Sequence, residues 1–218
     1  MTVVAWDAPG CGESSDPPEL FGAHGYAGAL ASFMAELEIE TAHVLGLSWG
    51  GGLAQELYRL HPERVRSLIL ADTYAGWRGS LPEDVCDARL ASCLRESELP
   101  PEEFIPGWIR GLLSDRAEPR LRDELVEIMS SFHPSGYRAM AHAFAHQDTR
   151  DLLPRIDVPT LLIWGEADAR SPVTVAKQMG DGIPGSRLVL IPDAGHVSSL
   201  EAPEPFNEAV LSFVGALE

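Results

Sequence analysis

The chain has 218 residues, 45% hydrophobic and 22% charged, with 33 Asp and Glu against 16 Lys and Arg and a formal net charge of -17. That length suits one α/β domain with a core of its own and a modest insertion. The negative field argues against nucleic acid and against anionic membrane surfaces as partners, and against strongly anionic substrates unless the pocket differs from the surface. No apolar run approaches the ~20 residues that span a bilayer. The N-terminus shows no charged region followed by an apolar one, so no secretory leader is expected. Cys11, Cys86 and Cys93 form no metal or redox motif. An odd number of cysteines predicts reduced thiols and a cytoplasmic setting.

In chain order, Thr2–Trp6 reads as a buried strand, followed by a tight loop from Asp7 to Ser14 that is rich in turn formers. Tyr26–Leu37 has helical spacing of Tyr26, Leu30, Phe33, Met34 and Leu37. His43–Leu47 reads as a short buried strand, the glycine-rich stretch Gly46–Gly52 as a turn, and Leu53–Leu60 as a helix. Val65–Ala71 is another apolar strand. From Trp77 to Arg150 no convincing strand occurs and prolines recur between short helical stretches, which predicts a helical insertion. Strand–helix alternation resumes with Thr160–Trp164 and a helix over Val173–Met179, then Arg187–Ile191 and a last helix over Pro203–Leu217. Repeated β–α units predict a mostly parallel sheet with helices on both faces.

Ser48 lies at the tip of Gly46-Leu47-Ser48-Trp49-Gly50, a G-x-S-x-G pattern between a strand and a helix. A serine exposed at such a tip needs a strained backbone, and the chain then passes so close to itself that Gly46 and Gly50 are expected to be required as glycines. The helix that follows points its positive end at the serine, and the N–H of Trp49 is a candidate oxyanion donor.

A hydroxyl becomes a good nucleophile only when a base takes its proton, and a carboxylate that orients the base helps. In an open parallel sheet, cooperating groups lie on loops after strand C-termini. Asp168 follows Thr160–Trp164 in such a loop, and His196 follows Arg187–Ile191 in another. The order Ser48, Asp168, His196 is that of nucleophile, acid and histidine in one large hydrolase group. Asp72, just after Val65–Ala71, is the main rival for the acid, and Glu166 is expected to face solvent. The other six histidines are less well placed.

With these residues on the page, the chain resembles the α/β-hydrolase superfamily, in its capped esterase, enol-lactonase and proline-iminopeptidase-like branch. The stretches that carry the likeness are Asp7–Ser14, Gly46–Gly51, Pro159–Asp168, and Pro192–His196 with Glu201-Ala202-Pro203. The resemblance implies an α/β-hydrolase fold with residues 1–76 and 151–218 as core and 77–150 as a helical cap over the substrate. It implies Ser48 as nucleophile, Asp168 as acid, His196 as base and Trp49 N–H as an oxyanion donor, with no metal or organic cofactor. Serine at position 48 separates the chain from dehalogenase and epoxide-hydrolase relatives, which carry aspartate there.

Relatives usually begin with three further strands and a His-Gly loop that supplies a second oxyanion N–H. Relative to them the chain reads as truncated at its N-terminus, starting at the fourth strand. Thr2–Trp6 is then expected to pair directly with His43–Leu47, bringing backbone N–H groups of Ala8–Gly12 to Ser48. Strand exchange in a homodimer is the rival arrangement. The activity implied is hydrolysis of a small ester or lactone through an acyl-enzyme, or, if the oxyanion site is incomplete, a weak or inactive scaffold that binds small molecules. Carbon–carbon bond hydrolases, iminopeptidases and cofactor-free haloperoxidases share the constellation. Phe104, Trp108, Phe132, Met140 and Phe144 are candidates for pocket lining or for plain cap packing. An iminopeptidase would need acidic groups for the substrate amine, for which Glu102, Glu103 and Glu118 are candidates.

Overall fold

A computed structural model of the chain describes residues 1–218 except Glu19, Arg110 and Phe132, and except the side chain of Pro101. Its centre is a four-stranded parallel sheet in the order β1 (Ala42–Leu47), β2 (Val65–Ala71), β3 (Thr160–Gly165), β4 (Arg187–Ile191). The strands pair in near-continuous register, with Leu45 opposite Ile69, Ile69 opposite Leu161, and Ile163 opposite Val189. The largely apolar strands β2 and β3, with apolar side chains toward both faces, suit a sheet covered on both faces.

Alternation along β2 and β3 divides the interior into two cores. Leu68, Leu70, Leu162 and Trp164 point to one face, where α2 (Trp49–Leu60) and α8 (Val173–Gly182) pack through Leu57, Val175 and Met179. Ile69, Ala71, Leu161 and Ile163 point to the other, which α10 (Pro203–Gly215) covers with Phe206, Phe213 and Val214. α1 (Gly22–Glu36) lies on α2. The two α/β units that hold these elements are joined by five helices: α3 (Trp77–Ser80), α4 (Glu83–Glu96), α5 (Pro101–Ile109), α6 (Pro119–Met129) and α7 (Pro134–Ala145). They share the first core with the sheet, so the insertion is fused to it. A last short helix, α9 (Ser198–Glu201), precedes α10. No helix among the described residues is long and apolar enough to cross a membrane.

One expected element is missing. Thr2–Trp6 is not a strand, and among the described residues β1 pairs with β2 alone, at an edge of the sheet. The expected pairing of Thr2–Trp6 with His43–Leu47 therefore does not occur. A strand exists only beside a partner, and here competing contacts draw the segment elsewhere. The Trp6 ring lies 6.2 Å from that of Phe33 on α1. Gly10 meets Gly136 of α7 backbone to backbone, so close that a Cβ on Gly10 would fall 2.4 Å from the Gly136 Cα. Asp16 accepts hydrogen bonds from His133, at 2.7 Å, and from Ser135. The run stays apolar but exposed, Val3 at 79%.

A buried polar knot joins α2 to the end of the insertion. The Gln55 amide donates to the carbonyls of Gly51 at 3.0 Å and Tyr74 at 2.8 Å, and its oxygen accepts from the Thr149 hydroxyl at 2.5 Å. Both side chains are fully buried. Gln55→Ala leaves these partners unsatisfied in the core, and should lower the unfolding free energy by about 2–3 kcal/mol in denaturant titrations. An unchanged midpoint would mean that the knot is not formed in solution.

Candidate active site

Three strand ends converge on one point. Ser48 follows β1 directly and takes φ 52°, ψ -118°, a region that a serine enters only when its surroundings hold it there. Its N–H donates to the Ala71 carbonyl at 2.8 Å. Its own carbonyl accepts from the Gly51 N–H at 3.0 Å and from the Thr73 hydroxyl. The glycines that this turn needs are not quite the expected pair. A Cβ on Gly46 would fall 2.2 Å from the Gly50 carbonyl oxygen, so that position must be glycine. A Cβ on Gly50 would meet nothing within 4 Å. Gly51 is the second tight position, with a Cβ there 2.5 Å from Thr73 Oγ1. Sequence spacing alone misplaces the need because helix curvature turns position 50 outward and position 51 inward.

The His196 Nε2 lies 2.7 Å from the Ser48 hydroxyl, and its Nδ1 lies 2.8 Å from Asp168 Oδ2. The imidazole and the carboxylate are both buried. The other Asp168 oxygen accepts from the backbone N–H groups of Arg170 at 2.7 Å and Ser171 at 2.8 Å. Those two bonds leave Oδ2 to the imidazole. With Nδ1–H donated to it, Nε2 is the free acceptor that a hydroxyl nucleophile requires. Thr73 links the parts: its hydroxyl holds the Ser48 carbonyl, and its own carbonyl accepts from the Ser171 hydroxyl at 2.6 Å.

Asp72, the rival acid, does not contact the imidazole. Its Oδ1 accepts from the Gly165 N–H at 2.7 Å, and Oδ2 lies 2.5 Å from the Ser198 hydroxyl. It clamps the ends of β2, β3 and α9 together, and burial pushes its carboxyl up to about 8. Glu166 is exposed, as expected. Glu201 has a comparable structural part. Its carboxylate accepts from the Gly195 N–H at 2.8 Å, the Ser114 N–H at 3.1 Å and the Ser114 hydroxyl at 2.6 Å. It therefore pins the histidine loop to the segment after α5. The motif around Glu201 was legible in the sequence, but its partner Ser114 was not.

Trp49 opens α2, where the first N–H groups lack partners within the helix. Two of the N–H groups expected as a second set of donors are engaged inside their own loop. Within the loop, the Gly10 N–H is taken by the Ser15 carbonyl at 2.9 Å and the Cys11 N–H by the Ala8 carbonyl at 2.8 Å.

Ser48, Trp49 and His196 line a small cavity of about 90 Å³ together with Tyr74, Trp77, Arg89, Trp108, Tyr137, Met140, Phe144 and Arg170. Of the aromatic and apolar candidates, Trp108, Met140 and Phe144 are in this wall. Phe104 packs in the core instead, stacked on Tyr137 at 5.7 Å. Phe132 lies outside the described residues. Glu102, Glu103 and Glu118 are exposed and absent from the lining, so the expected amine site is not formed by them. Arg89 and Arg170 were not anticipated. The only cue was that Arg170 stands two residues after Asp168 in the same loop. A larger cavity of about 440 Å³ between α1, α2 and the end of α7 contains none of Ser48, Asp168 and His196. The described residues hold no group of three His, Cys, Asp or Glu side chains able to bind a metal ion.

The profile of a family described as alpha/beta hydrolase fold matches residues 1–203. Over 215 residues the chain is 29% identical to 3-oxoadipate enol-lactonase 2 of Acinetobacter baylyi, covering 95% of this chain and 76% of that protein. Among solved structures, a hydrolase from Pseudomonas aeruginosa PA01 superposes with a TM-score of 0.85 at 32% identity, covering 95% of this chain and 77% of the other. A thermophilic esterase from Thermogutta terrifontis, solved with malate bound, gives 0.89 at 30% identity, covering 96% and 78%.

The glycine geometry yields opposite expectations at neighbouring positions. Gly46→Ala should destabilise by about 3 kcal/mol through backbone overlap. Gly50→Ala should be neutral or stabilise by up to about 1 kcal/mol, because alanine favours a helix. Thermal melts of the two variants decide it, and equal losses would refute the assignment. Asp72 yields a pH dependence. The unfolded chain releases this proton near 3.9, whereas the folded chain keeps it to about 8. The associated stability is thus complete at acid pH and drains as pH rises through about 8. Melts from about pH 5 to about pH 9 should show wild type losing ground to Asp72→Asn until about pH 8 and then levelling. A constant difference would mean an ionised Asp72.

Proposed function

The chain belongs to the alpha/beta hydrolase fold family and is a hydrolase, and from that premise we propose that it cleaves a small carboxylic ester or lactone through an acyl-enzyme. The observation that carries this reading is the unbroken path from the Ser48 hydroxyl to His196 at 2.7 Å and from His196 to Asp168 at 2.8 Å. In the proposed sequence Ser48 Oγ attacks the carbonyl carbon while His196 Nε2 takes its proton. The Trp49 N–H, at the positive end of α2, stabilises the oxyanion. His196 then protonates the departing alkoxide, and the Ser48 acyl ester remains. Water, deprotonated by His196, releases the acid and restores the serine. Asp168 orients the ring and balances the imidazolium charge throughout. Helices α3–α7 act as the cap that closes the pocket.

A second reading draws on the Ala8–Gly12 loop, whose Gly10 and Cys11 N–H groups are spent internally. With Trp49 as the donor and no second one from that loop, turnover is slow, since one oxyanion donor is worth about 10²–10³ in kcat. In its limit the protein is a scaffold that binds small molecules without turning them over.

Ser48→Ala should lower hydrolysis of p-nitrophenyl butyrate by about 10³-fold or more, and should abolish labelling by a fluorophosphonate. Turnover that survives the substitution would remove Ser48 as nucleophile. A folded wild type that the fluorophosphonate leaves unlabelled would favour the scaffold.

A further inference from the structure

The cavity beside Ser48 carries two guanidinium groups, Arg89 from α4 and Arg170 from the loop after β3. Among the described residues, neither has a carboxylate within ion-pair distance, whereas Arg59, Arg78 and Arg155 are paired with Asp151, Asp87 and Asp151. Both are held in place by other means. Arg89 Nη1 donates to the Tyr74 hydroxyl at 3.0 Å, and its Nη2 donates to the Arg170 carbonyl at 3.2 Å. The Tyr74 hydroxyl donates to that same carbonyl, which closes a ring of contacts between the two arginines. The Arg89 Cζ is 5.8 Å from the ring centres of both Tyr74 and Trp77, and the Arg170 Cζ is 4.7 Å over Trp108.

Aromatic faces stabilise a cation from above, but they leave its in-plane N–H donors unfilled. The carboxylate of Glu96, outside the lining, is engaged by Trp108 Nε1 at 2.7 Å and the Tyr137 hydroxyl at 3.0 Å. Asp168 is committed to His196 and two backbone N–H groups. Both guanidinium groups are half-buried at the pocket wall, with N–H donors left over to meet an anion. The planar fork of arginine fits a carboxylate with two parallel bonds.

We propose that Arg89 and Arg170 bind a free carboxylate of the substrate, so that the preferred substrates are half-esters or lactones bearing that anion. This rests on the serine-hydrolase reading above and gives its substrate class.

The test sets the monomethyl esters of succinate, glutarate and adipate against neutral methyl esters in which a methyl group replaces the free carboxyl. Wild type should favour at least one half-ester over its neutral counterpart by about tenfold or more in kcat/KM. In Arg89→Gln/Arg170→Gln that preference should fall by about ten- to a hundredfold, chiefly through KM of the half-ester. Equal or better turnover of every neutral ester by wild type would overturn the proposal and leave the hydrolase reading standing. So would a preference that the double variant retains. If neither ester class is cleaved and a fluorophosphonate leaves Ser48 unlabelled, the hydrolase reading fails, and calorimetry with the free diacids judges the anion site by itself. Binding to wild type that the double variant loses would support the site, and absence of binding would sink it.

Discussion

Everything in this site depends on holding one serine in a backbone conformation it would not choose. Ser48 sits at φ 52°, which costs of the order of 1–3 kcal/mol. Three features impose it. Gly46 lets the chain pass at a distance that no side chain could tolerate. The Ser48 N–H and carbonyl are tied to Ala71 and Thr73, at the end of the neighbouring strand. Helix α2 then packs Leu57 into the core and cannot shift to relieve the turn. The strain is thus paid for by burial elsewhere in the sheet, and its return is a hydroxyl standing free at the strand tip.

Three acidic residues touch the segment Gly195–Ser198 with different duties, and environment separates them. Asp168 faces the imidazole and accepts from two backbone N–H groups. Asp72 is buried against Gly165 and Ser198, where desolvation favours the protonated acid. Glu201 receives the N–H groups of Gly195 and Ser114 together with the Ser114 hydroxyl. A carboxyl at a strand end can therefore orient a base, lock strands together or join two segments. Which it does depends on what donates to it.

The insertion is bound to the histidine loop as well as to the core. Val197 N–H donates to the Leu112 carbonyl at 3.2 Å, and Gly195 lies so near Ser114 that a Cβ would come within 2.5 Å of its nitrogen. Displacing the segment after α5 would therefore disturb the loop that carries His196. The same helices also supply Arg89, Trp108 and Phe144 to the pocket wall. Pocket shape and base position are in this way set by one packed unit.

Much of this was legible in the residues themselves. Four apolar strands, the helix after each of three of them, and the strand-end places of Ser48, Asp168 and His196 follow from periodicity and turn chemistry, which act over a few residues and leave a local imprint. What the residues left open was decided by contacts between segments far apart in the chain. Thr2–Trp6 has strand composition, but Trp6 packs on α1 and the loop that follows is drawn to α7 through Gly10, so composition misled. Asp72 and Asp168 look alike in sequence, both acids just past a strand. Only the fold brings Gly165 and Ser198 to the first and His196 to the second. Arg89 lies far along the chain from Ser48, in a helix whose pattern says nothing of a pocket. Partner choice among long-range contacts is a property of tertiary packing, and no local rule encodes it.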